Sequence, residues 1–210
     1  MRIAIIGAGN VGGTLGRRWA ALGHTVRFGV RRPDDAAVQA IVAGSGGRAS
    51  AHPVAEAVRG AEVVLLATPW PATEDALRAA GDLSGVVLLD ATNPILPNLA
   101  GLALGHETSG AEQVARWAPG TRVVKIFSTT GSANMADPAY AAGPVTMLYC
   151  GDDAAAKAVA ATLAAELGFA PQDLGPLSAA RYLEPFAMVW ITLAYKQGLG
   201  PGFALNIVRR

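Results

Sequence analysis

Residues 3–13 read IAIIGAGNVGG, an apolar run followed at once by Gly7, Gly9, Gly12 and Gly13. Glycine inside a regular element costs about 0.5–1 kcal/mol relative to alanine, so this cluster is a poor way to build an ordinary helix. Something requires the bare backbone. Gly7-Ala8-Gly9-Asn10-Val11-Gly12 has the spacing G-x-G-x-x-G, set after a strand-like run and opening an amphipathic stretch. In that setting the three glycines have distinct tasks. Gly7 permits a tight turn, Gly9 lets a pyrophosphate lie against the backbone, and Gly12 lets helix and strand pack closely. The free N–H groups and positive end of the helix, at Asn10 and Val11, then face the anion. The segment predicts a dinucleotide site.

The end of the next strand-like run selects the dinucleotide. A carboxylate about twenty residues on would hold the 2′-hydroxyl of NAD. Here the string is Phe28-Gly29-Val30-Arg31-Arg32-Pro33, and no acid follows until Asp34. Val30, Arg31 and Arg32 therefore predict a 2′-phosphate, because guanidinium forks suit phosphate oxygens. The expected cofactor is NADP.

Outward from this segment, aliphatic runs at 2–6, 25–29, 62–68, 85–92 and 122–127 alternate with helical stretches near 11–22, 33–43, 53–59, 71–80 and 110–117. The runs are continuous, as expected for parallel strands covered on both faces. The fold class is α/β: a Rossmann-like, doubly wound parallel sheet over residues 1–127. Ser109 and Glu112 have the form of a capping box. After 127 the pattern changes to a polar loop, a strand at 145–150 and an alanine-rich helix capped by Asp152 or Asp153 and ending at Gly168. A last helix is expected from Ser178 to about Gln197, with Pro185 kinking it or displacing its start. Residues 128–210 are expected to form a smaller α/β part roofing the cleft.

Composition narrows the function classes. Among 210 residues the formal net charge is +1, which offers nucleic acid or an anionic membrane no general attraction. A single cysteine cannot form an internal disulfide, and three histidines share no metal-ligand spacing. No apolar run approaches the roughly 18 residues of a membrane span. The expectation is a cytoplasmic protein without a metal, acting on a small molecule.

The rest of the crevice should come from residues just past other strand ends. Thr68, Pro69 and Trp70 follow one run, and Asn93 and Pro94 follow the next; these are read as cofactor-positioning. Ser128, Thr129, Thr130 and Asn134 follow the run at 122–127 and are candidates for the acceptor side. The sequence names no catalytic residue. Were the acceptor an imine or ketone, a proton donor would be wanted, and Tyr182 and Lys125 are the available candidates. Other readings kept open are an NADPH reductase of a flavin or metal complex and a non-catalytic NADP-binding redox sensor.

With these residues in hand, the chain resembles the NADPH-dependent reductases of the deazaflavin coenzyme F420, nearly end to end. A more distant likeness is to the oxidoreductase domain of the six-transmembrane metalloreductases. The resemblance rests on GAGNVG (7–12), GHTVRFGVRRP (23–33), ATPW (67–70), YCGDD (149–153) and GPLSAARYLEP (175–185). It implies NADP on the glycine turn and Arg31, a deazaflavin stacked on the nicotinamide, and a homodimer. The chain departs from the family at Val30, where a serine is usual, at its shorter glycine turn, and at Ser128, where a histidine is usual.

Overall fold

The computed structural model describes residues 1–208 and 210. Eight strands form one sheet: β1 (Arg2–Ile6), β2 (Thr25–Gly29), β3 (Ala49–His52), β4 (Val63–Leu66), β5 (Val87–Asp90), β6 (Arg122–Lys125), β7 (Thr146–Gly151) and β8 (Ala170–Asp173). Their order is β3-β2-β1-β4-β5-β6-β7-β8. Every pairing is parallel except β6 with β7, which is antiparallel. The chain starts at β1 and winds outward in both directions, so the strand order reverses between β1 and β4. This is the doubly wound α/β arrangement expected.

The continuous aliphatic runs are explained by two cores. Ile3, Ile5, Val63, Leu65, Val87 and Leu89 point to one face, with Leu15, Trp19, Ala160 and Leu163 against them. Ala4, Ile6, Val64, Leu66 and Leu88 point to the other, beneath Leu77, Val114 and Leu183. Thus α1 (Asn10–Ala21) and α7 (Ala154–Glu166) cover one side, and α4 (Thr73–Ala80), α5 (Gly110–Trp117) and α8 (Ala180–Ile191) the other. The short helices are α2 (Ala36–Ala43), α3 (Val54–Ala57) and α6 (Ser132–Ala136). The first core takes in Met147, Ala160 and Phe169 as well as Ile3 and Val63. Residues 128–210 therefore share a core with the first part, extending its sheet past β6.

Local chemistry explains most boundaries. The Ser109 hydroxyl accepts from the Glu112 N–H at 3.2 Å and donates to its carboxylate at 2.8 Å, a capping box at the start of α5. Asp153 caps α7 through the Ala156 N–H at 2.7 Å, while Asp152 accepts from the Leu177 N–H at 2.9 Å. Ser178 does not cap α8. It lies in a 3-10 turn over Leu177–Ala179, and the helix begins at Ala180. The start is displaced, and α8 continues through Pro185 before widening into a π turn at Thr192–Lys196.

Candidate nucleotide and acceptor site

The carboxyl ends of β1, β2 and β4 enclose a crevice of about 500 Å³ at the point where strand order reverses, the usual ligand position in such sheets. Its walls include Gly7, Ala8, Gly9, Val30, Arg31, Arg32, Thr68 and Pro69. The three glycines differ in their surroundings. Gly7 has φ +105°, its N–H donates to the Gly29 carbonyl at 3.1 Å, and an added Cβ would stand 2.6 Å from the Ala67 oxygen. A Cβ on Gly12 would stand 2.0 Å from the Gly7 oxygen, so the helix can seat against the turn only without one. At Gly9 a Cβ would meet nothing within 4 Å. The space above Gly9 belongs to the crevice, which is what a bound pyrophosphate requires.

The electrostatics at this end suit a dianionic phosphate. Gly9 precedes α1 without a side-chain cap, and the first turn carries no acidic residue, so the helix terminus stays open to an anion. Arg32 pairs with Asp35 at 3.4 Å, and Asp35 also accepts from the Ala37 N–H at 3.0 Å. Arg31 has no ion pair or hydrogen bond among the described residues, leaving its guanidinium free for a 2′-phosphate. The carboxylates on the crevice wall are both engaged, Asp35 as described and Asp75 by Arg78 at 2.6 Å. The residues present fit NADP.

The model of the NADP oxidoreductase family described as coenzyme F420-dependent matches residues 2–94. A candidate F420-dependent NADP reductase from Arthrobacter sp. FB24 is 34% identical, with both chains covered in full and a TM-score of 0.90. The chain belongs to this family of NADP oxidoreductases. It is also 31% identical over 187 residues to the metalloreductase STEAP3 of Rattus norvegicus, covering 87% of this chain and 36% of that one. The chain thus spans about a third of the length of that curated relative. A reductive aminase from Aspergillus terreus, solved with NADPH, cyclohexanone and allyl amine, shares the fold at 20% identity. It covers 95% of this chain and 62% of that one, with a TM-score of 0.67.

The other predicted positions of this NADP oxidoreductase lie around the crevice rather than all on its wall. Asn10, Val11 and Gly12 form the first turn of α1 behind Gly9. The Thr68 hydroxyl is within 3.0 Å of that of Thr73, which fixes its rotamer beside Pro69. Trp70 turns from the crevice to pack on Trp117, ring centroids 5.2 Å apart. Pro94 joins Trp70 and Glu184 around Gly110. The Asn93 amide donates to the Ser128 carbonyl at 2.9 Å, tying the loop after β5 to the loop after β6. Ser128 and Thr129 are buried. Asn134 is bonded within the protein: it donates to Thr130 Oγ1 and to the Phe203 carbonyl, and accepts from Tyr140, each at 2.7 Å. Asn134 is therefore a strut beneath the loop.

Two features escaped the sequence. The wall facing Arg31 is built by Ala72, Asp75, Ala76 and Ala79 of the α4 region. Their three- and four-residue steps mark one helical stripe, half-buried to exposed, which in the sequence looks like an ordinary solvent-facing helix side. The second is a buried ionic cluster. Lys125, wholly buried, stands 3.1 Å from both Asp90 and Glu184 and also donates to the Thr92 carbonyl. Asp90 accepts from the Thr92 N–H at 2.9 Å and from its hydroxyl at 2.7 Å, whereas Glu184 accepts from the Gly110 and Ala111 N–H groups at 2.8 and 3.0 Å. Burial alone would push the Lys125 ammonium down, but the two carboxylates outweigh it and hold it above its ordinary value. The second negative charge sits on the positive end of α5. The charged ends of the runs VLLD and RVVK were the sequence signal; the Glu184 partner is non-local.

This cluster bears on proton donors. Lys125 is locked in ion pairs, and Tyr182 is 74% exposed on α8 and outside the crevice wall. Burial pushes the Cys150 thiol up to about 12, so it remains protonated and inert near neutrality.

Proposed function

We propose that the protein transfers a hydride between NADP(H) and a deazaflavin of the coenzyme F420 type. The observation that carries the nucleotide half is the crevice itself, with open space over Gly9 and an unpaired Arg31 at its far wall. The acceptor half is supported by the likeness to the Arthrobacter protein, which covers residues 128–210 as well as the nucleotide-binding part.

NADPH, when bound, supplies the hydride from its nicotinamide ring. What the chain contributes is position. The glycine turn and the terminus of α1 would hold the pyrophosphate, Arg31 would take the 2′-phosphate, and Thr68 and Pro69, past the end of β4 on the other side of β1, would flank the way to the nicotinamide. Ring-to-ring transfer needs alignment and exclusion of water more than proton transfer. The engagement of Lys125 and the exposure of Tyr182 accord with that chemistry and weigh against an imine or ketone acceptor. The likeness to a metalloreductase makes a flavin or ferric complex the second class of acceptor. The reading includes a cytoplasmic homodimer, for which the exposed Tyr182, Val189 and Tyr195 of the α8 region offer apolar surface.

The test is anaerobic NADPH oxidation against F420, free flavins, quinones, ferric chelates and cyclic imines. The proposal expects turnover with F420 well above the rest. Turnover confined to another class would replace the acceptor and leave the nucleotide site in place.

A further inference from the structure

Ile6, Leu66, Asp90 and Lys125 lie side by side in one register row across β1, β4, β5 and β6. The four strands end at this row, and three residues on, in the turns that follow, stand Gly9, Pro69, Asn93 and Ser128. The loop carrying Asn93 therefore leaves the sheet two strands from the glycine turn, strands being roughly 5 Å apart, and Asn93 is hydrogen-bonded to Ser128 of the next loop. The Asn93 Nδ2 is committed to the Ser128 carbonyl, which can only accept, so the Asn93 oxygen must face the other way. That oxygen and the Ser128 hydroxyl are the two buried side-chain polar atoms without a hydrogen-bond partner among the described residues. Ser128 is 5% exposed. Buried polar atoms are nearly always paired, and orphans of this kind call for an explanation.

The backbone before Ser128 adds a second, independent observation. Phe127 is fully buried with φ +59°, a conformation that bulky residues rarely adopt. Its ring is held edge-on by Trp19 at 5.7 Å and by Phe169 at 6.3 Å. The aromatic cluster fixes a strained turn whose next residue is Ser128.

We propose that Asn93 and Ser128 together receive the primary carboxamide of the nicotinamide ring. The chemistry is complementary: the Asn93 oxygen accepts from an amide N–H, and the Ser128 hydroxyl donates to an amide oxygen. Ser128 thereby belongs to the cofactor side and not, as its place in the sequence suggested, to the acceptor side. This inference rests on the reading that NADP occupies the crevice.

The test uses Ser128→Ala and three probes: NADP⁺, its 3-acetylpyridine analogue, which lacks the amide N–H, and 2′-phospho-ADP-ribose, which lacks the nicotinamide. Affinities are read by calorimetry and folding by thermal melting of the ligand-free protein. The hydroxyl has no partner among the described residues, so the variant should melt at or above the wild-type temperature. It should bind NADP⁺ about three- to tenfold more weakly, the worth of one hydrogen bond, and bind 2′-phospho-ADP-ribose unchanged. The wild type should bind the acetylpyridine analogue more weakly than NADP⁺ by a similar factor. Unchanged NADP⁺ affinity in the variant overturns the proposal, as does equal weakening of NADP⁺ and 2′-phospho-ADP-ribose with a lowered melting temperature. Failure of the wild type to bind 2′-phospho-ADP-ribose overturns the crevice reading itself, and this inference with it.

Discussion

Two glycines only three residues apart should respond to substitution in opposite ways. Gly9 has φ −80° and ψ −163°, values open to any L-residue, and a Cβ there meets nothing within 4 Å. Gly9→Val should therefore leave the fold intact, at the modest cost of a poorer N-cap residue for α1. Its branched side chain projects into the space assigned to the pyrophosphate. Losing two charge-assisted hydrogen bonds at about 1.5–3 kcal/mol each removes about 3–6 kcal/mol, a hundredfold to ten-thousandfold loss of NADPH affinity. Gly12→Ala behaves differently, because its Cβ would stand 2.0 Å from the Gly7 oxygen and 3.0 Å from Ile5 Cγ2. Backbone and a buried core side chain cannot easily yield, so the cost is the overpacking penalty of about 1–3 kcal/mol, a fall of roughly 2–12 °C in Tm for a chain of this size. The assays are fluorescence titration of NADPH and thermal melting of both variants. A folded Gly9→Val protein with wild-type NADPH affinity would refute the placement of the dinucleotide. An unchanged Tm in Gly12→Ala would refute the packing argument.

Arg31→Glu should erase the preference for NADPH over NADH, which in the wild type is expected to be at least about tenfold; equal affinities in the unmutated protein would remove the role of Arg31. Lys125→Met leaves Asp90 and Glu184 buried without their cation, a loss of about 3–5 kcal/mol, and Tm should fall by roughly 6–20 °C; a fall under about 2 °C would mean the cluster is not the tie described. Arg181, donating to Glu112 at 2.6 and 2.9 Å, holds that carboxyl below the usual carboxylate range. Because the folded value is depressed, the stabilisation is complete above the unfolded value of about 4.3 and is lost as pH falls through the folded value. Arg181→Met should therefore show a smaller loss of stability between pH 7 and pH 3 than the wild type, as measured by urea melts.

The interior strands were legible because burial on both faces writes them as unbroken aliphatic runs. Ala49–His52 and Ala170–Asp173 carry no such run. They are the sheet's edges, only partly buried, and Pro171 is admissible there for that reason. The helix at Ser132–Ala136 was hidden in a polar loop because its five residues are too few to show a period. In the crevice, the tight turn at Gly7 and the close packing at Gly12 could be read because they are set within a few residues of chain. Trp70 could not, since its contact with Trp117 is made by folding and takes it off the crevice wall. The Asp90–Lys125–Glu184 cluster, which joins two strand ends to α8, and the Asn93–Ser128 pair, which joins two loops, were illegible for the same reason: their members meet only by folding.

The proposed reaction is hydride transfer from NADPH, held in this crevice, to a deazaflavin. Its most direct measurement uses NADPH deuterated at the reactive nicotinamide carbon, incubated with the protein and F420 in ordinary water, with the reduced acceptor examined by mass spectrometry. Deuterium is expected in the reduced deazaflavin without exchange with solvent, and no such transfer is expected with the Gly9→Val variant. Absence of F420 reduction, with NADPH oxidised instead by a flavin or with label passing to the carbon of a cyclic imine, would contradict it.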